Sequence, residues 1–275
     1  MSRLERAARV RAGARYRRLR RHRNYRFLIY ASPRTGSTSL AQALNGYLGI
    51  QTVMEPFSVD WSGNVRDRVW DLPSLKREVE RLWRRYNGFK HVWEPNGFPF
   101  EGRPEFNDYL LTQATDRVIL LNRRNVLRRI VSWHIADQAG VFHLWRDEDR
   151  VKLLNHRFEP LDINAIRKQL AREREASAAV ERQLDEARVA YKMLWYEDLF
   201  RVESEDRKRS ALGEVIAFIT GRPFKPTLLK HRALRAMDPA NAQTNVNSAV
   251  TYEAVPNIHE IENELGCAQT GFLFR

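Results

Sequence analysis

RFLIYASPRTGSTSLAQA, residues 26–43, is the stretch on which the fold turns. Phe27, Leu28, Ile29 and Tyr30 form a short apolar run of the kind buried in parallel sheets. Pro33 stops that strand because it has no N–H for a ladder. Gly36 lets the backbone curl, and Ser37 or Thr38 is expected to cap a helix running through Leu40, Ala41, Ala43 and Leu44. Backbone N–H groups at such a turn point inward, and the helix dipole adds roughly half a positive charge. An anion belongs there. Ordinary helix capping also explains a lone Ser/Thr/Gly turn, so the rest of the chain must decide.

The Walker loop, G-x-x-x-x-G-K-[ST], places a lysine on terminal phosphates and a hydroxyl on magnesium. Here only Pro-Arg-Thr-Gly-Ser-Thr is present, without the first glycine and with Arg34 early in the loop. A second segment, RVILLNRRNVLRRIVSW at 117–133, reads as a buried strand over Val118 to Leu121, running into a helix with Leu127, Ile130 and Val131 inward. Arg124 sits where this strand ends, and Ser132 follows eight residues later. A guanidinium grips phosphate through two bonds and a hydroxyl completes the shell. Arg128 and Arg129 read as a solvated helix face.

These motifs resemble those of sulfotransferases, enzymes that use 3′-phosphoadenosine 5′-phosphosulfate (PAPS). Their 5′-phosphosulfate loop is similar to residues 33–38, and their 3′-phosphate site has an arginine and a serine at the Arg124–Ser132 separation. NGFKHVWEP at 87–95, SWHIADQAGVFHL at 132–144 and the segment from 163 to Tyr196-Glu197-Asp198-Leu199 extend the likeness. Residues 25 to about 225 look most like the family of the mycobacterial trehalose 2-sulfotransferase.

The resemblance implies a P-loop-like three-layer α/β fold with a mainly parallel sheet between helices. It also implies PAPS as donor, a carbohydrate or glycolipid hydroxyl as acceptor, and no metal. Arg34, Thr35, Gly36, Ser37, Thr38, Arg124, Ser132 and Tyr196 become the cofactor-binding candidates, with Tyr196 placed near adenine or ribose. Arg34 and Lys90 would stabilise the departing phosphate. A hydroxyl acceptor needs a base, and two are candidates. Glu55, in GIQTVMEPFS, stands where the family has a catalytic glutamate, although Pro56 departs from its pattern. His91 follows a strand lysine, but cytosolic sulfotransferases do not place their histidine directly next to it.

Length and composition agree with one enzyme domain. The 275 residues can bury a large core, and 43% of them are hydrophobic. No internal repeat divides the chain. Cys267 is the only cysteine, which rules out an intrachain disulfide and fits a reducing, cytoplasmic setting. No apolar run approaches the roughly 20 residues that cross a bilayer, and no signal-peptide core opens the chain.

Residues 1–23 hold ten arginines and one glutamate, +9 of the total +13. The expected organisation is therefore a basic extension over 1–24 and a single domain over 25–275. The extension reads as a solvated helix or as a collector of anionic surfaces, membrane or nucleic acid. Two alternative functions stay open: an ATP/magnesium kinase of P-loop type, and a non-catalytic basic binder on the same fold.

Smaller expectations complete the reading. Glu197 and Asp198 look like a helix start, where carboxylates favour the dipole. His134 and His143 flank a turn that could face the acceptor, and Trp93, Trp133 and Trp145 are core or sugar platforms. The stripe Ile163, Ile166, Leu170, Val180, Leu184 marks a long surface helix that a homodimer could share. Asn257 is expected to cap a helix carrying Ile258, Ile261 and Leu265, ended by Gly266. Lys230, Arg232 and Arg235 are the cations available to close over the cofactor, and spacing selects none of them.

Overall fold

The computed structural model describes residues 25–58, 63–142, 144, 147–202, 204–238 and 249–274. The basic extension, His143 and Trp145 lie outside the described residues. Five strands form one all-parallel sheet: β1 (Phe27–Ala31), β2 (Thr52–Val53), β3 (Gly88–Val92), β4 (Arg117–Asn122) and β5 (Ala190–Trp195), in the order β2-β3-β1-β4-β5. Helices cover both faces, so the fold is three-layer α/β, as the alternation of apolar runs and helical stretches predicts.

Strand alternation sorts the core. Phe27, Ile29 and Ala31 of β1, with Ile119 and Leu121 of β4, face α1 (Ser37–Leu44) and a later helix, Glu205–Thr220, in one cluster. Leu28 and Tyr30, with Phe89, Val118 and Leu120, face the opposite layer. That layer holds α2 (Leu72–Trp83), α3 (Pro104–Thr112) and the C-terminal half of the long helix Ile163–Glu186. A third cluster joins α4 (Val126–Ala139) to the N-terminal half of that long helix and to Tyr252, Ile258 and Ile261.

The stripe read as a possible dimer contact is used internally. Ile166 and Leu170 pack in the third cluster, and Val180 and Leu184 in the second. In chain order α5 is Asp147–Leu154, α6 is Ile163–Glu186, α7 is Tyr196–Phe200 and α8 is Glu205–Thr220. Asp162 caps α6 by accepting from the N–H groups of Asn164 and Ala165 at 2.8 and 3.0 Å.

Two capping expectations are corrected. The residue before α1 is Gly36 itself, left-handed at φ 82°, and no side chain caps that helix. Thr38 instead turns its hydroxyl toward β3. Asn257 precedes the helix Ile258–Leu265 without capping it: its amide exchanges two bonds of 2.9 Å with the backbone of Leu161.

The connections fix where a ligand can sit. From β1 the chain moves left to β2, and from β4 it moves right to β5. The β1–β4 boundary is thus the point where strand order reverses, and ligands of open α/β sheets bind outside the carboxyl ends at that point. Both motif loops, 32–36 and 123–125, leave the sheet at this edge.

Candidate functional site

The loop after β1 is held open by backbone geometry. Arg34 and Gly36 both have positive φ, 63° and 82°, and Thr35 tucks its hydroxyl onto the Ser32 carbonyl at 2.8 Å. A Cβ at Gly36 would lie 2.8 Å from Phe200 Cε2 and 3.0 Å from Tyr196 Cδ2, so only glycine fits. Tyr196 therefore abuts the loop, with its ring 5.0 Å from that of Phe200.

Two clusters stand at this edge. In the first, Lys90 and Glu55 form an ion pair, and the Lys90 ammonium donates to Thr38 Oγ1 at 2.7 Å. Lys90 is 2% exposed and Glu55 15%, so this is a nearly buried pair at the mouth of the sheet. Glu55 has φ 34°, a sparsely populated conformation for a residue with a side chain. In the second cluster, Arg34 Nε donates to Ser132 Oγ at 3.1 Å and Arg34 Nη1 to the Phe142 carbonyl at 2.7 Å. Burial, with Arg123 adding repulsion, lowers the Arg34 guanidinium to about 10, which leaves it charged at neutral pH.

Register explains Lys90 and His91. Lys90 pairs with Ile29 and shares its face, toward α1; His91 pairs with Tyr30 and faces the other layer. There its Nε2 bonds Asn107 Oδ1 at 2.8 Å, and its ring stacks on Tyr30 and Phe100 at 5.6 and 5.9 Å. Burial pushes its pKa down to about 4, the Asn107 bond and Glu55 opposing. His91 is thus a neutral core residue on the far side of the sheet from Lys90.

Arg124 has a partner of its own. Its guanidinium makes a bidentate pair with Asp198, at 2.6 and 2.7 Å, over the Trp195 ring. The Glu197 carboxylate accepts from the N–H groups of Arg124 and Asn125 at 3.0 and 3.2 Å. Glu197 and Asp198 do open helix α7, as expected, and their side chains also staple it to the β4–α4 turn.

The solvated-face reading of Arg129 is overturned. It is 3% exposed, it meets Glu173 at 2.6 Å, and its Nη1 donates to the Pro33 carbonyl at 3.3 Å. The Arg129 Nη2–Glu173 Oε1 contact is close but out of hydrogen-bond alignment, so the pair is held mainly by charge. Arg129 stands three residues before Ser132 and shares its helical face, a signal the sequence did contain. Arg128 is half-buried, with its guanidinium 5.4 Å over the Tyr252 ring.

Sequence reasoning missed Arg123 and Tyr252. The Arg123 Nη1 donates to the Arg34 carbonyl at 3.1 Å, and the guanidinium lies 4.5 Å over the Tyr196 ring. Burial lowers its pKa. Tyr252 is fully buried against α4, with its hydroxyl donating to the Arg128 carbonyl at 3.3 Å. Residues 270–272 brace the same turn: Leu127 N–H donates to the Thr270 carbonyl at 2.9 Å and Asn125 Nδ2 to that of Phe272 at 2.6 Å.

No family model, curated protein or solved structure matches this chain. The site is therefore read from its own residues. Among the described residues, no group of three or more His, Cys, Asp or Glu side chains could hold a metal ion, and no helix is long and apolar enough to cross a membrane.

The remaining candidates fall outside the cradle. Lys230 and the short helix α9 (Arg232–Arg235) pack at the far end of α1, where Lys230 N–H donates to the Gly46 carbonyl at 3.0 Å. An eight-residue helix separates that end from the loop by about 12 Å. Trp93 stacks on Tyr30 at 5.3 Å in the core. His134 bonds Gln169 at 3.2 Å, with its pKa lowered by burial, and Trp133 meets the His134 ring edge-on at 5.1 Å.

Proposed function

We propose that this chain is a sulfotransferase that moves the sulfuryl group of PAPS to a hydroxyl, that of a carbohydrate or glycolipid. The observation that carries the reading is the placement of Glu55, Lys90 and Thr38 in one contact cluster beside the Arg34–Ser132 seat, at the strand-order reversal. A carboxylate, an ammonium and a cationic anion seat are what such a transfer requires.

In this reading the acceptor oxygen attacks sulfur in line as the bond to the bridging oxygen of the 5′-phosphate breaks. By analogy with phosphoryl transfer, positioning and charge stabilisation dominate. Lys90, Arg34 and the loop N–H groups receive the charge that builds on the leaving phosphate. Glu55 takes the acceptor proton. In the resting site Lys90 holds Glu55 as its ion-pair partner. When Lys90 turns to the leaving oxygen, Glu55 is released as a base at the moment the hydroxyl loses its proton. Ser132 and an arginine of the β4–α4 turn hold the second phosphate, and Tyr196 offers a ring face.

The kinase alternative is less well supported by the same cluster. Thr38 is the hydroxyl that a Walker loop would offer to magnesium, yet it accepts from the Lys90 ammonium. A fixed positive charge at that oxygen opposes a divalent cation.

The test measures transfer of labelled sulfate from PAPS to a panel of sugars, glycolipids and phenols, with Glu55→Gln as control. Product from one hydroxyl class, lost in the variant while adenosine 3′,5′-bisphosphate still binds, is the expected result. Thermal stabilisation by ATP plus magnesium, and none by the bisphosphate, overturns the reading.

A further inference from the structure

We infer that Arg123, rather than Arg124, is the β4–α4 turn arginine that grips a phosphate or sulfate group of the ligand, in a two-guanidinium seat with Arg34. The two arginines are neighbours in sequence, but the end of β4 turns them to different surroundings. Arg124 has its fork satisfied by both carboxylate oxygens of Asp198 and rests on Trp195. It serves as a clamp between the turn and α7.

Among the described residues, Arg123 has no such partner. A guanidinium offers five N–H donors and no acceptor. Of these, Nη1 is used on the Arg34 carbonyl, while Nε is shielded from solvent and bonds nothing among the described residues. Nε is covered by protein, but Nη2 also bonds nothing among the described residues and is not buried with it, so that end of the fork is the one an incoming acceptor can reach.

Its neighbours identify the acceptor's chemistry. Among the described residues, neither Arg34 nor Arg123 forms an ion pair, although Arg124 and Arg129 beside them do. Arg123 is bonded to the backbone of Arg34, and the Arg34 side chain reaches Ser132. Tyr196 backs the Arg123 guanidinium at 4.5 Å and limits its travel. Two half-buried cations stand at one point of the sheet edge and repel each other, with the Glu197 carboxylate attracting Arg123 from beyond ion-pair contact. A tetrahedral dianion relieves that repulsion and supplies oxygens to both forks. A carboxylate cannot satisfy as many donors.

For an adenosine bisphosphate this rests on the sulfotransferase reading; for the anion itself it does not. The test is isothermal titration of the full chain with adenosine 3′,5′-bisphosphate and, separately, inorganic pyrophosphate. Arg123→Gln is expected to weaken whichever probe binds by about ten- to a hundredfold. Arg123→Lys, which keeps charge but loses the fork, is expected to fall between. Arg124→Gln and Asp198→Asn are expected to stay within about twofold, since freeing or removing the clamp leaves the seat intact.

Phenylglyoxal labelling of the wild type gives a readout that does not depend on a variant folding. Saturating probe should protect Arg123 and leave Arg124 reactive. A tenfold loss in Arg124→Gln with Arg123→Lys unchanged, or protection of Arg124 alone, overturns the assignment. If pyrophosphate binds through Arg123 and the bisphosphate does not bind, the nucleotide reading falls and the arginine assignment stands. Binding of neither probe defeats both.

Discussion

Separating Lys90 from Glu55 should cost more than either side chain suggests alone. Lys90 is 2% exposed, and in Glu55→Gln its ammonium keeps only neutral acceptors, the Thr38 hydroxyl and the glutamine amide oxygen. Breaking a buried pair by removing one member costs about 3 to 5 kcal/mol. The lower end applies here, because Thr38 remains and the Glu55 side of the contact is 15% exposed. Glu55→Gln is therefore expected to lose about 3 kcal/mol. Lys90→Met is milder, about 2 kcal/mol, since a carboxylate already 15% exposed can turn further toward solvent.

The double variant leaves no orphaned charge. It should lose about 2 kcal/mol rather than the sum of about 5, a coupling of about 3 kcal/mol. Urea unfolding of the four proteins, checked for two-state behaviour, measures the cycle. For a chain of this size each kcal/mol moves the midpoint by about 2 to 4 °C, so thermal scans give an independent check. Additive losses, with coupling under about 0.5 kcal/mol, would show that the two side chains do not share a buried contact. The mechanism built on their exchange would fall with it.

Gly36→Ala forces a side chain into the left-handed region and within 2.8 Å of Phe200, so it should destabilise by about 2 to 3 kcal/mol and abolish bisphosphate binding. An unchanged midpoint in a thermal scan would refute the packing of Tyr196 and Phe200 against the loop. His91 is depressed in the fold to about 4 from the ordinary 6.5, so its contribution is full above pH 6.5 and is lost as pH falls from 6.5 to 4. That loss is about 3 kcal/mol for this group, flat below pH 4. Denaturation of the wild type and His91→Gln at pH 7 and pH 4.5 tests this, because the glutamine variant should lack that part of the slope; parallel curves would count against a neutral, buried imidazole.

The sequence carried the sheet and the first loop because those signals are local. An apolar run, Pro33 and Gly36 specify strand and turn within ten residues. It could not tell which face of the sheet Lys90 and His91 each take, because adjacent strand residues face opposite ways and the phase is set by partners far along the chain. Arg129 was misread because a charged residue in a helix is usually solvated, and its partner Glu173 lies 44 positions away (173 − 129). Tyr252 was invisible for the same reason: nothing near it in sequence reveals that it is buried against α4.

The brace at Thr270 and Phe272 ties the site to the timing of synthesis. Strands β1 to β5 can assemble while the ribosome is still extending the chain, since domains gather in order of emergence. The β4–α4 turn keeps two open bonding positions until residue 272 has cleared the exit tunnel. A nascent polypeptide halted anywhere before that point would hold its sheet yet leave the β4–α4 turn unbraced. Bracing of the turn thus follows assembly of the sheet, and ribosome-stalled intermediates of graded length would reveal it as an abrupt gain in protection of the turn.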